Sequence, residues 1–288
     1  MSNNSLYTTK EITKTYEQVH DLLLTRYIIK NYSTNKKDIR DVAIEGMNLK
    51  NVKTVLELGC GYGFFIEKLK GLLNDSAVVI GIDMVENNRE PFLHSVASIQ
   101  YKGEFITGQA EIIRKMPDES FDLIITSYSL YFFPYLMGDI ARLLSPTGVF
   151  IAITHSIYTL GEATEIIKKC MEKTGVLIEQ DTVLNKLFYS FSLENGKRQL
   201  TEYFERVEKK HFKNSMIFDY KNIQDCIFYI QKKKNLIYKE VIEHMPGRVI
   251  ETEVCVESSI IEHTKKHGRL ILNKDDGVFR CFGPKNII

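Results

Sequence analysis

Glu57, Gly59, Gly61 and Gly63 are grouped in the stretch Val55–Leu69, VLELGCGYGFFIEKL, with Cys60 inside the group. The apolar run Val55-Leu56-Glu57-Leu58 predicts a strand, and the three glycines follow it directly. The spacing then changes to Phe65, Ile66 and Leu69 with Glu67 and Lys68 between them, which predicts a helix running to about Asn74. Strand, glycine turn and helix together make a corner at which many α/β proteins bind a phosphate or a cofactor. Glycine accepts positive φ and lets the backbone approach a ligand with no Cβ in the way. This corner is neither the dinucleotide motif, because position 64 is Phe, nor a P-loop, because no Gly-Lys-Ser/Thr follows. Glu57 would repel a pyrophosphate. It would attract an ammonium group through charge-assisted hydrogen bonds, roughly twice as strong as neutral ones.

Bare backbone with an ammonium-seeking carboxylate is what an S-adenosylmethionine (SAM) site needs. The stretch LELGCGYG resembles the first motif of the class I SAM-dependent methyltransferases. Three further stretches extend the resemblance. Ala77–Ile82 reads as a buried strand ending at Asp83, which lies 24 residues after Gly59. That offset suits an acid that accepts both ribose hydroxyls, and capping of the next helix is the other reading of the same residue. Met84 stands where the resemblance implies an apolar contact to adenine. Gly108-Gln109-Ala110-Glu111 resembles the family's turn at the adenine amino group, with Gln109 in place of the usual Asp and Ala110 contributing backbone. Phe121–Ser127, FDLIITS, resembles the fourth motif and brings Ser127, Tyr128 and Ser129 to the carboxyl end of a strand, where open α/β sheets place their chemistry.

Ser145-Pro146-Thr147-Gly148 resembles the family's loop before the fifth strand, Val149–Thr154. His155 and Ser156 follow that strand and should emerge on the same rim. A histidine there is able to take a proton near neutral pH. His155 and Tyr128 are therefore the candidate catalytic residues, needed where the acceptor is a hydroxyl or a protonated amine. No metal is expected.

The remaining elements must position this rim. Tyr7–Tyr32 and Asp38–Met47 read as helices, and the resemblance implies a helical cover over the cofactor, with Tyr7 or Tyr16 as candidate contacts. Beyond Tyr158 the expected elements are a helix over Glu162–Thr174, an aromatic-rich stretch Val183–Leu193 and a helix from Gly196. A sixth strand over Val207–Phe218, helices at Ile223–Ile230 and Val254–His267, and a last antiparallel strand over Val278–Phe282 follow. The implied fold is α/β: a Rossmann-like, seven-stranded, mostly parallel sheet with helices on both faces, an antiparallel last strand and a helical insertion roofing the acceptor. One domain spans 1–288, with 48–156 as the SAM-binding core, 1–47 as cover, and 157–205 and 220–268 as acceptor-side elements. The resemblance covers most of the chain, and Val55–Phe150 carries its specific motifs.

Composition bounds the function. The chain has 288 residues, 44% apolar and 26% charged, with a net charge of +1, which suits a globular protein without a global field for nucleic acid. Met1–Lys10 is polar, and Phe121–Met137 is too short and mixed for a membrane helix. Five scattered cysteines without C-x-x-C spacing read as reduced thiols of a cytoplasmic protein. Between Arg206 and Lys239 nine Lys/Arg stand against three acidic residues, without an aromatic-flanked basic stripe. The expected activity is in-line methyl transfer from SAM to a small molecule, leaving S-adenosylhomocysteine. An RNA or protein acceptor, or a non-catalytic binding module, is the alternative. Oligomeric state is not encoded in any motif.

Overall fold

The computed structural model describes residues 6–177 and 180–285. The strands are β1 (Thr54–Leu58), β2 (Val78–Asp83), β3 (Lys102–Thr107), β4 (Phe121–Ser127), β5 (Leu144–His155), β6 (Phe204–Phe212), β7 (Ser215–Asp219), β8 (Arg269–Asn273) and β9 (Asp276–Pro284). Seven of them form one sheet in the order β3-β2-β1-β4-β5-β9-β6, and β7 pairs with β8 in a separate two-stranded sheet. The pairs β3-β2, β2-β1, β1-β4 and β4-β5 are parallel. Strand β9 runs antiparallel to both β5 and β6. This is the expected Rossmann-like sheet, with the order reversing at β1 and β4, where the carboxyl ends open a crevice.

The chain divides into two compact units. The first holds residues 37–156, 190–212 and 276–285 and contains the whole seven-stranded sheet. Its central strands are buried on both sides, as parallel strands must be: Val55, Leu56, Leu123, Ile124, Ile125, Ile151 and Ile153 are all fully buried. Asp122 fixes the start of this layer, because its Oδ2 accepts from the amides of Lys53 and Thr54 at 2.8 and 3.1 Å. The second unit holds residues 6–36, 157–189 and 213–275. It is largely helical, built from Thr9–Tyr16, Val19–Tyr32, Gly161–Lys173, Val183–Ser190, Ile223–Gln231 and Val249–His267, with the β7-β8 hairpin.

Several expectations need correction. The helix foreseen from Phe65 to Asn74 is a single 3-10 turn, Ile66–Leu69. Its apolar residues are buried, but Gly71 adopts φ +68° and breaks the helical course. Tyr7–Tyr32 forms two helices instead of one, and Tyr7 is buried with its hydroxyl donating to the Leu236 carbonyl at 2.8 Å. The sixth strand splits at Lys213-Asn214, where Asn214 N donates to Asp275 Oδ1 at 2.8 Å and turns the chain into β7. The expectation of five reduced thiols also fails. Cys170 and Cys255 form a disulfide between the helices Gly161–Lys173 and Val249–His267, with Cα atoms 5.7 Å apart, inside the normal range. Cys60, Cys226 and Cys281 are buried free thiols.

One buried charge fastens a helix to the sheet. Arg280 on β9 donates from Nε to the Ala43 carbonyl at 2.8 Å, and from Nη2 to the carbonyls of Val42 and Glu45 at 2.9 and 2.8 Å. These are carbonyls at the end of the helix Ile39–Ile44, where a cation is favoured. Arg280→Ala is expected to destabilise the chain by about 1.5–3 kcal/mol, the scale of a hydrogen bond to a charged group. Urea denaturation of wild type and variant measures it, and an unchanged midpoint would refute the capping role.

Candidate active site

The glycine turn has the backbone that its spacing requires. Gly59, Gly61 and Gly63 all have positive φ, at +66°, +51° and +72°. The turn hangs from β2: the amides of Gly59 and Cys60 both donate to the Ile82 carbonyl, at 2.8 and 3.2 Å, and Gly63 N closes onto Cys60 O at 2.9 Å. A Cβ at Gly59 would lie 2.5 Å from Ser129 Cβ, and one at Gly63 would lie 3.1 Å from Ser95 Cβ. A Cβ at Gly61 would meet nothing within 4 Å. Two of the glycines therefore permit packing, and the middle one borders open space. Cys60 turns inward: its side chain is buried, and burial raises its thiol well above the ordinary range. Only its backbone shares the turn.

Glu57 is 2% exposed, and its Oε2 has no hydrogen-bond partner. Burial raises its carboxyl well above the usual range; the Arg40 charge pulls it down and the Asp83 charge pushes it up. A buried, unpartnered carboxylate oxygen is costly, and this one stands at the carboxyl end of β1 beside the glycine turn. Arg40, just inside the helix Ile39–Ile44, is the cation whose charge is felt at Glu57. Its Nη1 meets both carboxylate oxygens of Asp38 at 3.2 Å, while its buried Nε has no partner. The sequence reading missed Arg40, because a single arginine on a short helix carries no motif.

Asp83 ends β2 as expected, but both its oxygens serve the backbone. Oδ2 accepts from Gly61 N at 2.8 Å and Oδ1 from Val85 N at 2.9 Å. Burial raises its carboxyl, and the donors at Val85 and Gly61 oppose that shift. The residue thus locks the glycine turn to β2, and it makes no side-chain cap to the following 3-10 turn, Glu86–Asn88. Asp83→Ala is expected to weaken SAM binding by about 1.5–3 kcal/mol and also to lower the melting temperature, since two amides lose their acceptor. Calorimetry beside a thermal melt separates the two, and unchanged affinity would remove Asp83 from the site. Met84 is half-buried beside it. Gly108 N donates to the Asp83 carbonyl at 2.9 Å, bringing the third turn alongside, with Gln109 exposed and Ala110 buried.

At the end of β4, Ser127 is half-buried, and Ser129 Oγ donates to the Leu58 carbonyl at 2.6 Å, tying this loop to the glycine turn. Tyr128, between them, has φ +60°, a left-handed conformation that a bulky residue adopts only under constraint. The constraint is visible. Its amide donates to Ile153 O at 2.9 Å and its hydroxyl to Asp276 Oδ2 at 2.8 Å. Burial raises the phenol well above its ordinary value, and Asp276 adds to the shift. His155 Nδ1 lies 2.8 Å from the other oxygen of Asp276. Its ring lies against Tyr128 at 4.6 Å and stacks on Tyr131 at 5.8 Å. Asp276 went unforeseen because the last strand is expected only from Val278, and β9 begins two residues earlier. Only the β5-β9 register, which sets His155 opposite Asp276, reveals it.

The seven-stranded unit thus gathers Glu57, the three glycines, Asp83, Ala110, Ser127, Tyr128 and His155 at the carboxyl ends of β1 to β5. Elsewhere, a groove of about 650 Å³ is lined by Glu162, Lys169, His263 and His267 among others, and by none of the expected site residues. Among the described residues no cluster of His, Cys, Asp or Glu is arranged to hold a metal, and no helix is long and apolar enough to cross a membrane.

Residues 49–208 match the family model described as a methyltransferase domain. A search of curated protein sequences gives no match. Among solved structures, the cyclopropane synthase MmaA2 of Mycobacterium tuberculosis superposes with a TM-score of 0.51 at 13% identity, over 98% of this chain and 100% of that one. Phosphoethanolamine N-methyltransferase 2 of Haemonchus contortus, solved with phosphomonomethylethanolamine and S-adenosylhomocysteine, superposes with a TM-score of 0.51 at 14% identity, over 97% of this chain and 61% of that one. These likenesses establish a shared fold. The family match spans more than half of the sequence, and the chain belongs to the methyltransferase-domain family, within the class I SAM-dependent methyltransferases that its motifs resemble.

Proposed function

We propose that this protein transfers a methyl group from SAM to a small-molecule acceptor, and that the residues gathered at the rim hold the donor. The observation that carries the reading is the buried, unpartnered Oε2 of Glu57 beside a turn whose three glycines all have positive φ. An amino acid brings one ammonium and one carboxylate, and the chain offers Glu57 to the first and Arg40 to the second. Gly61 leaves room for the ligand to lie against the backbone. Asp83 fixes the turn and faces the ribose, Met84 and Ala110 supply apolar contact to adenine, and Gln109 reads its edge through an amide that both donates and accepts. Cys60, Gly59, Gly63, Ser127 and Tyr128 complete the wall.

SAM supplies a methyl on a sulfonium, already activated. The protein's task is to align the acceptor and exclude water, and orientation contributes roughly 7–11 kcal/mol, more than one general base supplies. His155 is the candidate base. Tyr128 is no base, because burial and Asp276 keep its phenol protonated, and its one proton is donated to Asp276.

The basic segment favours a small acceptor over RNA. Lys232 pairs with Asp21 at 2.8 Å, Lys234 with Glu253 at 3.4 Å, and Lys239 with Glu11 and Glu243 at 2.7 and 2.6 Å. Charges engaged within their own unit make a poor phosphate track. The acceptor-side elements 157–205 and 220–268 and the helical cover 1–47 belong to the same proposal. Isothermal calorimetry with SAM and S-adenosylhomocysteine tests it: micromolar or tighter binding is expected, and no binding by the wild type would end the reading.

A further inference from the structure

Asp276 is 2% exposed and receives two donors at once, Tyr128 Oη at 2.8 Å on Oδ2 and His155 Nδ1 at 2.8 Å on Oδ1. An ionised carboxylate only accepts hydrogen bonds. The ring nitrogen that faces it must therefore carry the proton, which leaves Nε2 of neutral His155 as the basic atom. The placement is built in by the sheet. Asp276 opens the antiparallel strand β9 and His155 closes β5, and the register sets them opposite one another. Only an antiparallel last strand brings its first residue to the rim where the parallel strands end. The strained φ of Tyr128 puts its hydroxyl on the same carboxylate. The titratable and charged groups seen against the imidazole among the described residues include Asp276 from β9, and Tyr128 and Tyr131 from the segment after β4. Glu194 accepts from the neighbouring Ser156 at 2.6 Å, and the Arg40 charge is felt at Tyr128.

We propose that Asp276 is a positioning residue that fixes His155 with Nε2 toward the acceptor, and that the acceptor is therefore a nucleophile that carries a proton, a hydroxyl or an ammonium group. The proposal rests on the methyltransferase reading above and narrows its substrate class. In the transfer, the acceptor atom forms its bond to the methyl carbon while the carbon–sulfur bond breaks with its electron pair left on sulfur. The acceptor's proton goes to Nε2 of His155: for a hydroxyl as the bond forms, and for an ammonium beforehand, the N–H electron pair staying on nitrogen as the lone pair that attacks. The resulting imidazolium is held by Asp276, whose charge offsets it.

The test is two-bond ¹H–¹⁵N correlation spectroscopy of the ¹⁵N-labelled chain, free and with S-adenosylhomocysteine, with His155 assigned through His155→Gln. The expected result is the Nδ1–H tautomer in the neutral wild-type ring. In Asp276→Asn, which offers one acceptor oxygen in place of two, that tautomer is no longer dominant and the ring titrates at lower pH. Tyr128→Phe, which leaves the His155–Asp276 pair in place, keeps the wild-type tautomer. With an acceptor that turns over, Asp276→Asn lowers kcat about 100-fold, within the span of a general base, and leaves the SAM KM within twofold. An Nε2–H tautomer in the wild type overturns the proposal even if the Asn variant does not fold. So does an Asn variant with wild-type tautomer and pH profile. Absence of S-adenosylhomocysteine binding to the wild type would sink the methyltransferase reading instead, and calorimetry on the same samples tells the two failures apart.

Discussion

Gly61→Val is expected to fold and to lose SAM and S-adenosylhomocysteine, with affinity falling at least about 100-fold. At φ +51° an L-residue with a branched Cβ pays roughly 1–2 kcal/mol of backbone strain, a fraction of the 5–15 kcal/mol typical of a domain. The new Cβ meets no atom within 4 Å, so packing adds no further penalty, and Asp83 still holds the amide at 2.8 Å. What the isopropyl group does fill is the open side of the turn, where the ligand must approach the bare backbone. Gly59→Ala should behave in the opposite manner. Its Cβ would stand 2.5 Å from Ser129 Cβ, next to the hydroxyl that holds the Leu58 carbonyl, so the loss appears first in stability. Calorimetry and thermal melts on the two variants give opposite patterns. A Gly61→Val protein that folds and binds normally would place the ligand elsewhere.

The contrast shows which parts of the site could be read from sequence. The glycine spacing, the acid before it and the acid after the second strand are local patterns, and each landed at the carboxyl rim. The central strands were legible for the same reason, because burial on both faces writes a continuous apolar run. Elements set by distant partners were not legible. Apolar spacing alone promised a helix after the turn, and the left-handed Gly71 ended it after one 3-10 turn. Val207–Phe218 reads as one strand, yet Asn214 binds Asp275 and Lys274 and divides it between two sheets. The Cys170–Cys255 link closes 85 residues, and the His155–Asp276 pair exists only through strand register. Asp83 lies between these cases: its position was predictable, but the backbone donors that occupy its oxygens were not.

Glu57→Gln is expected to weaken SAM binding about 10- to 150-fold, the equivalent of a 1.5–3 kcal/mol hydrogen bond to a charged group, and to change how both stability and binding depend on pH. In the ligand-free protein, burial raises the Glu57 carboxyl well above its ordinary value of 4.5. A group raised in the folded state contributes stability that is complete below the unfolded value and is lost as pH rises through the folded one. Wild-type stability should therefore decline as pH climbs above the ordinary carboxylate range. Glutamine has no such proton to lose, and that part of the decline disappears in the variant. The ligand's ammonium reverses the preference, because a positive charge beside Oε2 favours the ionised carboxylate. Binding below the raised value is then coupled to proton release from Glu57, and the observed heat shifts with the ionisation enthalpy of the buffer. Calorimetry in phosphate and in Tris measures that release directly, and the Gln variant should lack the Glu57 share of it. Equal affinity in the two proteins, with no difference in proton release, would mean that the orphaned oxygen faces something other than the ligand's amine.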